Sequence, residues 1–265
     1  MIPVLNQVHY TQGCLTCLAA DIAAGVSVVV VDNGSTDSTA EFLAGQPQIT
    51  VIRNPQNRGC AAAWNQGVQA TQAEWVVVLN NDVLLPRNWL TALIDFAEKE
   101  QADVVSPAVR EGELNYDLEA YAREFIERMQ TLQRSGAAHG ICFLVRRRVF
   151  ETIGLFDENF RIGQFEDADF FLRAQRAGFR LTTTGAVFIH HFGSITQKAL
   201  KQERTPRPYE AENRAYFRKK WRLGWWRRRS QRLMTSLQGA WWRRREQRHG
   251  GHTLHEKWVE GKLVY

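Results

Sequence analysis

The chain has 265 residues, of which 44% are hydrophobic and 23% are charged, a composition that excludes disorder along the whole length. No apolar run reaches the roughly 18 residues that would cross a bilayer, and the first ten residues lack the pattern of a secretory signal. We therefore expect a cytoplasmic globular protein with one large domain, or with one domain and an appendage.

The net charge of +6 conceals an uneven distribution of charge along the chain. Residues 1–213 hold 19 Lys and Arg against 25 Asp and Glu, whereas residues 214–265 hold 15 against 3. Tryptophans alternate with arginine triplets in this last part, as in Trp241–Arg245. The pattern predicts a polyanionic partner, either an anionic membrane surface or, less favoured, nucleic acid. The alternative is that the aromatic side chains pack on the acidic body.

The four cysteines are too few and too scattered for a disulfide framework, which suits a reducing compartment. Cys14 and Cys17 form a lone C-x-x-C inside a stretch that is predicted to be helical, residues 11–20. Since no second pair is present to complete a zinc site, we expect buried apolar cysteines.

Strand and helix patterns alternate along the first 106 residues. After a very short strand near Pro3, we predict strands at 26–31, 50–53, 75–79 and 104–106, with helices at 38–44, 60–70 and 88–99 between them. The continuous β-branched run at 26–31 is typical of a strand buried on both faces. Successive β-α units predict an open, mostly parallel sheet with helices on both faces and a ligand site at the carboxyl ends of its strands.

The second half of the chain is less regular. We predict a helix at 114–133, a strand at 141–145, a loop at 154–163, a helix at 166–177 and short strands at 180–183 and 187–190. The composition changes abruptly after Pro206 and Pro208. We therefore predict a domain of residues 1–205 and a basic, mainly helical extension of residues 206–265.

Polar clusters follow several of these elements. Asp32-Asn33-Gly34-Ser35 forms a turn that either grips a base or ribose edge or simply joins a strand to a helix. The cluster Asn80-Asn81-Asp82 offers one carboxylate to a hard divalent cation, although it also fits a capped turn.

The cluster Glu166-Asp167-Ala168-Asp169 holds three acidic residues close together, and Arg173 follows one helical turn later. At least one of these carboxyls should have a raised pKa, which suits a general base; an acidic helix start is the alternative. His190-His191 follows a short strand and could ligate a metal or be structural.

Eight motifs stand in a fixed order along residues 1 to about 197. They are Pro3-x-x-Asn6, Val31–Asp37, Asn57-Arg58-Gly59 with Asn65-x-Gly67, Leu79–Asp82, Gly140 with Arg146-Arg147-x-Val149-Phe150, Gly154-x-Phe156-Asp157-Glu158, Phe165–Asp169 with Arg173, and His190–Gly193. In this order they resemble the family 2 glycosyltransferases of the GT-A fold, of rhamnosyltransferase or surface-polysaccharide type.

The resemblance implies an α/β fold with a single Rossmann-like sheet and an inverting, metal-dependent transfer from a UDP- or dTDP-linked sugar. The implied contacts to the nucleotide sugar are Pro3, Asp32, Asn33, Ser35, Arg58, Asn65, Asn80 and Asn81. Mn²⁺ or Mg²⁺ would be held by Asp82 with His191 or His190. Asp167 resembles the catalytic base, and the residues that would orient it or the acceptor are Gly140, Glu166, Asp169 and Arg173.

Two departures from the family pattern bear on these roles. The metal motif often carries two acids, whereas Asp82 is the only carboxylate at positions 80–82. Many members carry a second acid where this chain has Asn33, which leaves the choice between uracil and thymine open.

The acceptor would be a glycan, a lipid-linked sugar or a protein. A nicotinamide-dependent oxidoreductase is disfavoured because no G-x-G-x-x-G follows a strand. The remaining alternative is a nucleic-acid- or membrane-binding module whose activity lies in the basic extension.

Overall fold

The computed structural model describes residues 1–193, 195 and 208–264. The predicted domain boundary near residue 205 lies outside the described residues. Among them, no helix is both long and apolar enough to span a bilayer.

The first half follows the predicted alternation of strands and helices. Its elements are β1 (Ile2–Val4), α1 (Val8–Cys17), α2 (Ala19–Ala23), β2 (Val29–Asp32), α3 (Thr39–Ala44), β3 (Thr50–Arg53), α4 (Cys60–Gln69), β4 (Trp75–Leu79), β5 (Val83–Leu84) and α5 (Trp89–Lys99). Predicted bounds agree within three residues for most elements. The short strand β5 was not predicted, and the helix expected at 11–20 is divided after Cys17.

The second half departs more from the predictions. Its elements are β6 (Val104–Glu111), α6 (Leu118–Met129), β7 (Gln133–Ser135), β8 (Cys142–Arg146), α7 (Arg147–Ile153), α8 (Glu166–Arg176), β9 (Leu181–His191), α9 (Pro208–Lys220), α10 (Trp225–Gly250), β10 (His255–Val259) and β11 (Lys262–Val264). The prediction of two strands at 180–183 and 187–190 is wrong. They form one strand, β9, whose register against β6 shifts between Pro107 and Ala108.

The strands form a three-stranded parallel sheet, β1-β2-β3, and an eight-stranded mixed sheet. Met1 joins the two, because its terminal amine donates to Val77 O at 2.7 Å and its carbonyl accepts from Leu79 N at 3.1 Å. In the larger sheet β6 pairs in parallel with β9 and β10, whereas β4 and β8 are antiparallel. The layer is therefore continuous, and the prediction of an α/β fold is confirmed.

Helices cover both faces of this layer. Leu79 of β4 and Leu93 of α5 belong to one apolar cluster. Val78 of β4 and Phe170 of α8 belong to another cluster on the opposite face. Neighbouring residues of β4 thus point to different cores, as the twofold period of a strand requires.

The C-terminal residues are attached to the body at several points. Strand β10 pairs with β6, the indole of Trp221 donates to Asp169 at 3.0 Å, and Glu246 of α10 pairs with Arg134. Residues 206–265 are mainly helical where described, as predicted, but β10 and β11 were not predicted. The division at residue 205 stays a prediction, and these contacts make the second part closely dependent on the first.

Candidate active site

A cleft of about 360 Å³ lies where several strands end. Residues that follow β1, β2 and β4 meet there with the ends of β6 and β9 and with the first turn of α8. Nine of the predicted site residues line it: Pro3, Asn33, Asn80, Asn81, Asp82, Gly140, Glu166, Asp167 and His191. Convergence at the carboxyl ends of strands is what the predicted topology requires.

Adjacent carboxylates form one part of the cleft. Glu166 is 5% exposed, and its Oε2 has no hydrogen-bond partner among the described residues. Burial, together with the charge of Asp167, raises the pKa of Glu166, and burial raises the pKa of Asp167 as well. Since two neighbouring carboxyls resist double ionisation, the pair retains a proton at a pH where isolated carboxyls are ionised.

Gly140 lies against Asp167 and gives its carboxylate room. A Cβ atom at position 140 would overlap the Asp167 side chain, and the Gly140 backbone hydrogen-bonds to it. The prediction assigned Gly140 to close approach of the acceptor. The structure provides a different reason for glycine, which is the position of the carboxylate.

Asp82 and His191 form a second pair in the cleft, with Oδ1 and Nε2 3.2 Å apart. The antiparallel pairing of β5 with β9 sets Val83 opposite His191 and so brings the preceding Asp82 to the imidazole. Although burial raises the pKa of Asp82, hydrogen bonding to His191, the His191 charge and the backbone amide of Ile195 hold that pKa below its usual range. Asp82 is therefore ionised at neutral pH.

These residues fit a divalent cation in part. Asp82 offers a carboxylate, and Nδ1 of His191 is buried without a hydrogen bond among the described residues. In the described part of the chain, no group of three His, Cys, Asp or Glu side chains is arranged so that it could hold a metal ion. An ion such as Mn²⁺ prefers more oxygen ligands than this. Asp82 and His191 thus suit a cation that a ligand, such as a diphosphate, also coordinates.

His190 faces away from the cleft, which corrects its prediction as a metal ligand. Its Nδ1 lies 2.8 Å from the Tyr116 hydroxyl, and the residue is fully buried. Burial and the neighbouring His191 lower the pKa of His190 to about 4, so the ring is neutral. Alternation along β9 explains why only one of the two histidines reaches the site.

The polar residues at the end of β2 and in the loop after it mostly form hydrogen bonds within that loop, and one of them lines the cleft. Asp32 is fully buried and accepts from Ser35 N at 2.9 Å, while Ser35 Oγ accepts from Asn6 N at 2.8 Å. Asn33 lines the cleft and donates to Asn57 Oδ1 at 2.9 Å. Of this group, Asn33 is therefore the one placed to touch a ligand.

Four further predicted residues are not among the described residues that line the cleft. The Arg58 side chain is exposed to solvent. Asn65 exchanges hydrogen bonds with the Phe156 backbone, at 2.9 Å in each direction. Asp169 is buried and bonds to Arg173 Nε at 2.9 Å, and Arg173 also donates to backbone carbonyls of residues 153–155. Asn65, Asp169 and Arg173 therefore hold the segments around the site in place.

A strained loop leads into α8. Ile162, Gln164 and Phe165 have φ values of 60°, 79° and 76°, in the left-handed region that disfavours side chains. Asn213 of α9, 1% exposed, holds this loop by accepting from Arg161 N and donating to carbonyls at positions 161 and 163. Sequence reasoning missed Asn213, because it lies in the basic extension, far along the chain from the site.

Glu111 lines the cleft and was not predicted either. It ends β6, opposite His191 of β9, and its carboxylate accepts from His255 Nε2 at 2.7 Å. Burial opposes its ionisation, but His255, His191 and Lys257 lower the pKa of Glu111 to about 2. The strand β10, which supplies His255 and Lys257, gave no clear signal in the sequence.

All four cysteines carry free thiols, and of the two that were predicted to be buried, Cys14 is buried whereas Cys17 is half-buried. Burial raises the pKa of Cys14, whose Sγ lies 3.9 Å from the Asn80 carbonyl. Cys60 lines the cleft and hydrogen-bonds to Glu166, and burial raises its pKa too. Raised pKa values make these thiols poor nucleophiles.

The cleft lies at the carboxyl ends of the strands, where open α/β sheets bind their ligands, and it holds a carboxylate pair. The model of the family "Glycosyl transferase family 2" matches residues 1–154. The chain therefore belongs to glycosyl transferase family 2.

Three relatives illustrate the range of similarity. Glycosyltransferase GlyG of Streptococcus pneumoniae is 24% identical over 40% of this chain and 36% of its own length. The pre-mycofactocin glycosyltransferase of Mycobacterium tuberculosis is 29% identical over 72% and 42%. The N-acetylglucosaminyl-diphospho-decaprenol L-rhamnosyltransferase of the same organism is 28% identical over 76% and 77%. The chain thus spans less than half of the first two relatives.

Solved structures confirm the fold. GalNAc-T7, crystallised with UDP, GalNAc and Mn²⁺, superposes with a TM-score of 0.57 at 16% identity, over 72% of this chain and 43% of that one. TarS 1-349 of S. aureus gives 0.56 at 17% identity, over 72% and 59%. The predicted GT-A fold is confirmed.

Proposed function

We propose that the chain is an inverting glycosyltransferase that moves a sugar from a UDP- or dTDP-linked donor to an acceptor hydroxyl. The observation that carries this proposal is the presence in one cleft of the pairs Glu166–Asp167 and Asp82–His191. Membership of the family over residues 1–154 and relatives named as glycosyltransferases support it.

In this mechanism Asp167 removes the proton from the acceptor hydroxyl as the oxygen attacks the anomeric carbon. Its raised pKa brings the base closer to neutral pH, where general-base catalysis contributes roughly 10²–10⁴-fold. Glu166, which is more deeply buried, keeps the shared proton and leaves Asp167 ionised. The Gly140 backbone and the Ala168 amide fix the direction of the Asp167 carboxylate.

The donor would lie along the residues that follow β1, β2 and β4, with Pro3, Asn33 and Asn80 beside the nucleotide. Asp82 and His191 would hold Mn²⁺ or Mg²⁺ together with the diphosphate. The cation, when bound, offsets the negative charge that develops on the leaving group. A single in-line displacement inverts the anomeric centre.

We further propose that the acceptor is a glycan, a lipid-linked sugar or a protein in surface glycan synthesis, and that the reaction takes place in the cytoplasm. The similarity to the L-rhamnosyltransferase over three quarters of both chains supports a saccharide acceptor. A module that only binds nucleic acid or membrane is not favoured, because the family match covers residues 1–154, which include most of the cleft residues.

Thermal denaturation with UDP, dTDP, ADP and GDP, each with and without Mn²⁺, tests the donor class. A ligand that binds only the folded protein raises its melting temperature. We expect stabilisation by UDP or dTDP that increases with Mn²⁺, followed by release of that nucleotide from its sugar in the presence of acceptor. Equal melting temperatures in all mixtures would contradict the proposal.

A further inference from the structure

Helix α10 carries four of the large hydrophobic residues that are exposed among the described residues. Leu233, Met234, Leu237 and Trp241 are 58–69% exposed and make up half of the exposed large hydrophobic residues. At 100° per residue these four positions lie on one side of the helix, over about two turns. We name this set the α10 stripe.

The α10 stripe lies on the side of the helix opposite to its contacts with the body. Glu246 is buried, its carboxylate 2.6 Å from Arg134, and a Cβ atom on Gly250 would overlap the Met129 side chain. Helical periodicity places these two positions roughly 180° from Leu237 and Trp241. The stripe is therefore directed away from the protein.

Positive charge surrounds this apolar surface. The sequence of α10 contains eight arginines and one glutamate, and that glutamate forms an ion pair with Arg134. Arg244, Arg245 and Arg248 continue the stripe toward the end of the helix and are exposed. Apolar side chains next to arginines suit the surface of an anionic membrane, because the apolar side chains can enter the acyl-chain region while the arginines contact the anionic headgroups.

We propose that the α10 stripe docks the protein on an anionic lipid surface. Tryptophan side chains prefer the headgroup region, which is where Trp241 would lie. A second copy of the chain fits poorly, because the same face of α10 would bring arginines against arginines. Single-stranded nucleic acid fits poorly as well, since three of the four stripe residues are aliphatic and cannot stack on bases.

Truncation of residues 206–265 is not a suitable test, because Asn213, Trp221 and β10 hold the body. The test instead uses full-length protein with phosphatidylcholine vesicles that do or do not contain phosphatidylglycerol. The stripe variant carries Leu233→Ser, Met234→Ser, Leu237→Ser and Trp241→Ser. Its control carries two substitutions at exposed α10 positions off the stripe, Gln238→Ser and Gln247→Ser.

We expect the parent and the control to sediment with the anionic vesicles and the stripe variant to lose at least tenfold in vesicle affinity. Arg244→Gln, Arg245→Gln and Arg248→Gln together should also weaken binding. The same kind of substitution at three exposed cations of the body, Arg87, Lys99 and Arg123, should leave vesicle binding unchanged. All variants should keep the parent melting temperature, because the substituted side chains are exposed.

Three results would overturn the proposal. One is a parent protein that stays in the supernatant with anionic vesicles at low salt. Another is a stripe variant that sediments as the parent does. The third is a concentration-dependent dimer that the stripe variant abolishes, which would assign the surface to a second copy. None of these readouts depends on sugar transfer.

Discussion

The carboxylate of Asp167 occupies the space that a Cβ atom at position 140 would need, so the two residues fit only while position 140 is glycine. We predict that Gly140→Ala displaces the carboxylate and lowers turnover by roughly 10²-fold, the effect of a misplacement of about 1 Å. Steady-state kinetics would measure this loss. Gly224→Ala is the control, since a Cβ atom there meets nothing within 4 Å; equal activity of the two variants would contradict the fit.

Asp167→Asn should abolish transfer while nucleotide binding is retained, because the amide preserves size and removes only the base. Loss of a general base costs roughly 10²–10⁴-fold in rate. Turnover and UDP or dTDP affinity should be compared in one preparation, with the exposed Asp95→Asn as control. If binding disappears together with transfer, Asp167 has a structural role instead.

The pH dependence of kcat/KM should report the carboxylate pair. The base must be ionised, and burial raises the pKa of Asp167. Activity is therefore expected to fall, as the pH is lowered, at a pH above the ordinary aspartate value of about 3.9. Because Glu166 keeps the shared proton in this mechanism, Glu166→Gln imitates its neutral form and should leave this acid limb nearly unchanged. A clear shift of the limb to lower pH would show that Glu166 is ionised in the active state.

Metal dependence should separate the two adjacent histidines. His191→Ala is expected to raise the Mn²⁺ concentration for half-maximal activity by at least about tenfold, because its ring lies beside Asp82 in the cleft. His190→Ala should lower the melting temperature instead, since that ring is buried against Tyr116. Full activity of the parent protein in excess EDTA would exclude the cation from the mechanism.

Asn213→Ala should loosen the strained loop before α8. The substitution removes the partner of buried backbone groups at positions 161 and 163, which costs about 1–3 kcal/mol in the free energy of unfolding. Nucleotide affinity should fall as well, because residues 162–164 line the cleft. Glu212→Ala, on the same helix, removes only an exposed ion pair with Arg161 and should cost about 0–1 kcal/mol. Denaturant titration distinguishes the two.

Aromatic residues of the C-terminal segment divide between the two alternatives weighed from the sequence. Trp221 is 7% exposed and bonded to Asp169, whereas Trp241 is 58% exposed on α10. Neither alternative describes the whole segment. Composition alone could not separate them, because every tryptophan in a basic helix has the same local pattern and only packing assigns it to a face.

The sequence by itself determined what depends on local pattern. Buried β-branched runs located β2 and β4, helical periods located α4, α5 and α8, and the order of polar motifs indicated Asp82 and Asp167 together with the family. These features depend on neighbours within a few residues, or on an order along the chain, so they are visible before folding.

Tertiary structure decided which of these residues meet. The pairing of β5 with β9 turns His191, and not His190, toward Asp82. Contacts across fifty or more residues bring Asn213 to the loop before α8 and His255 to Glu111. Long-range pairings of this kind depend on register and on packing of the whole layer, and no local pattern specifies them. That is why most elements of the first half could be predicted in order and type, while the contribution of the C-terminal segment to the site could not.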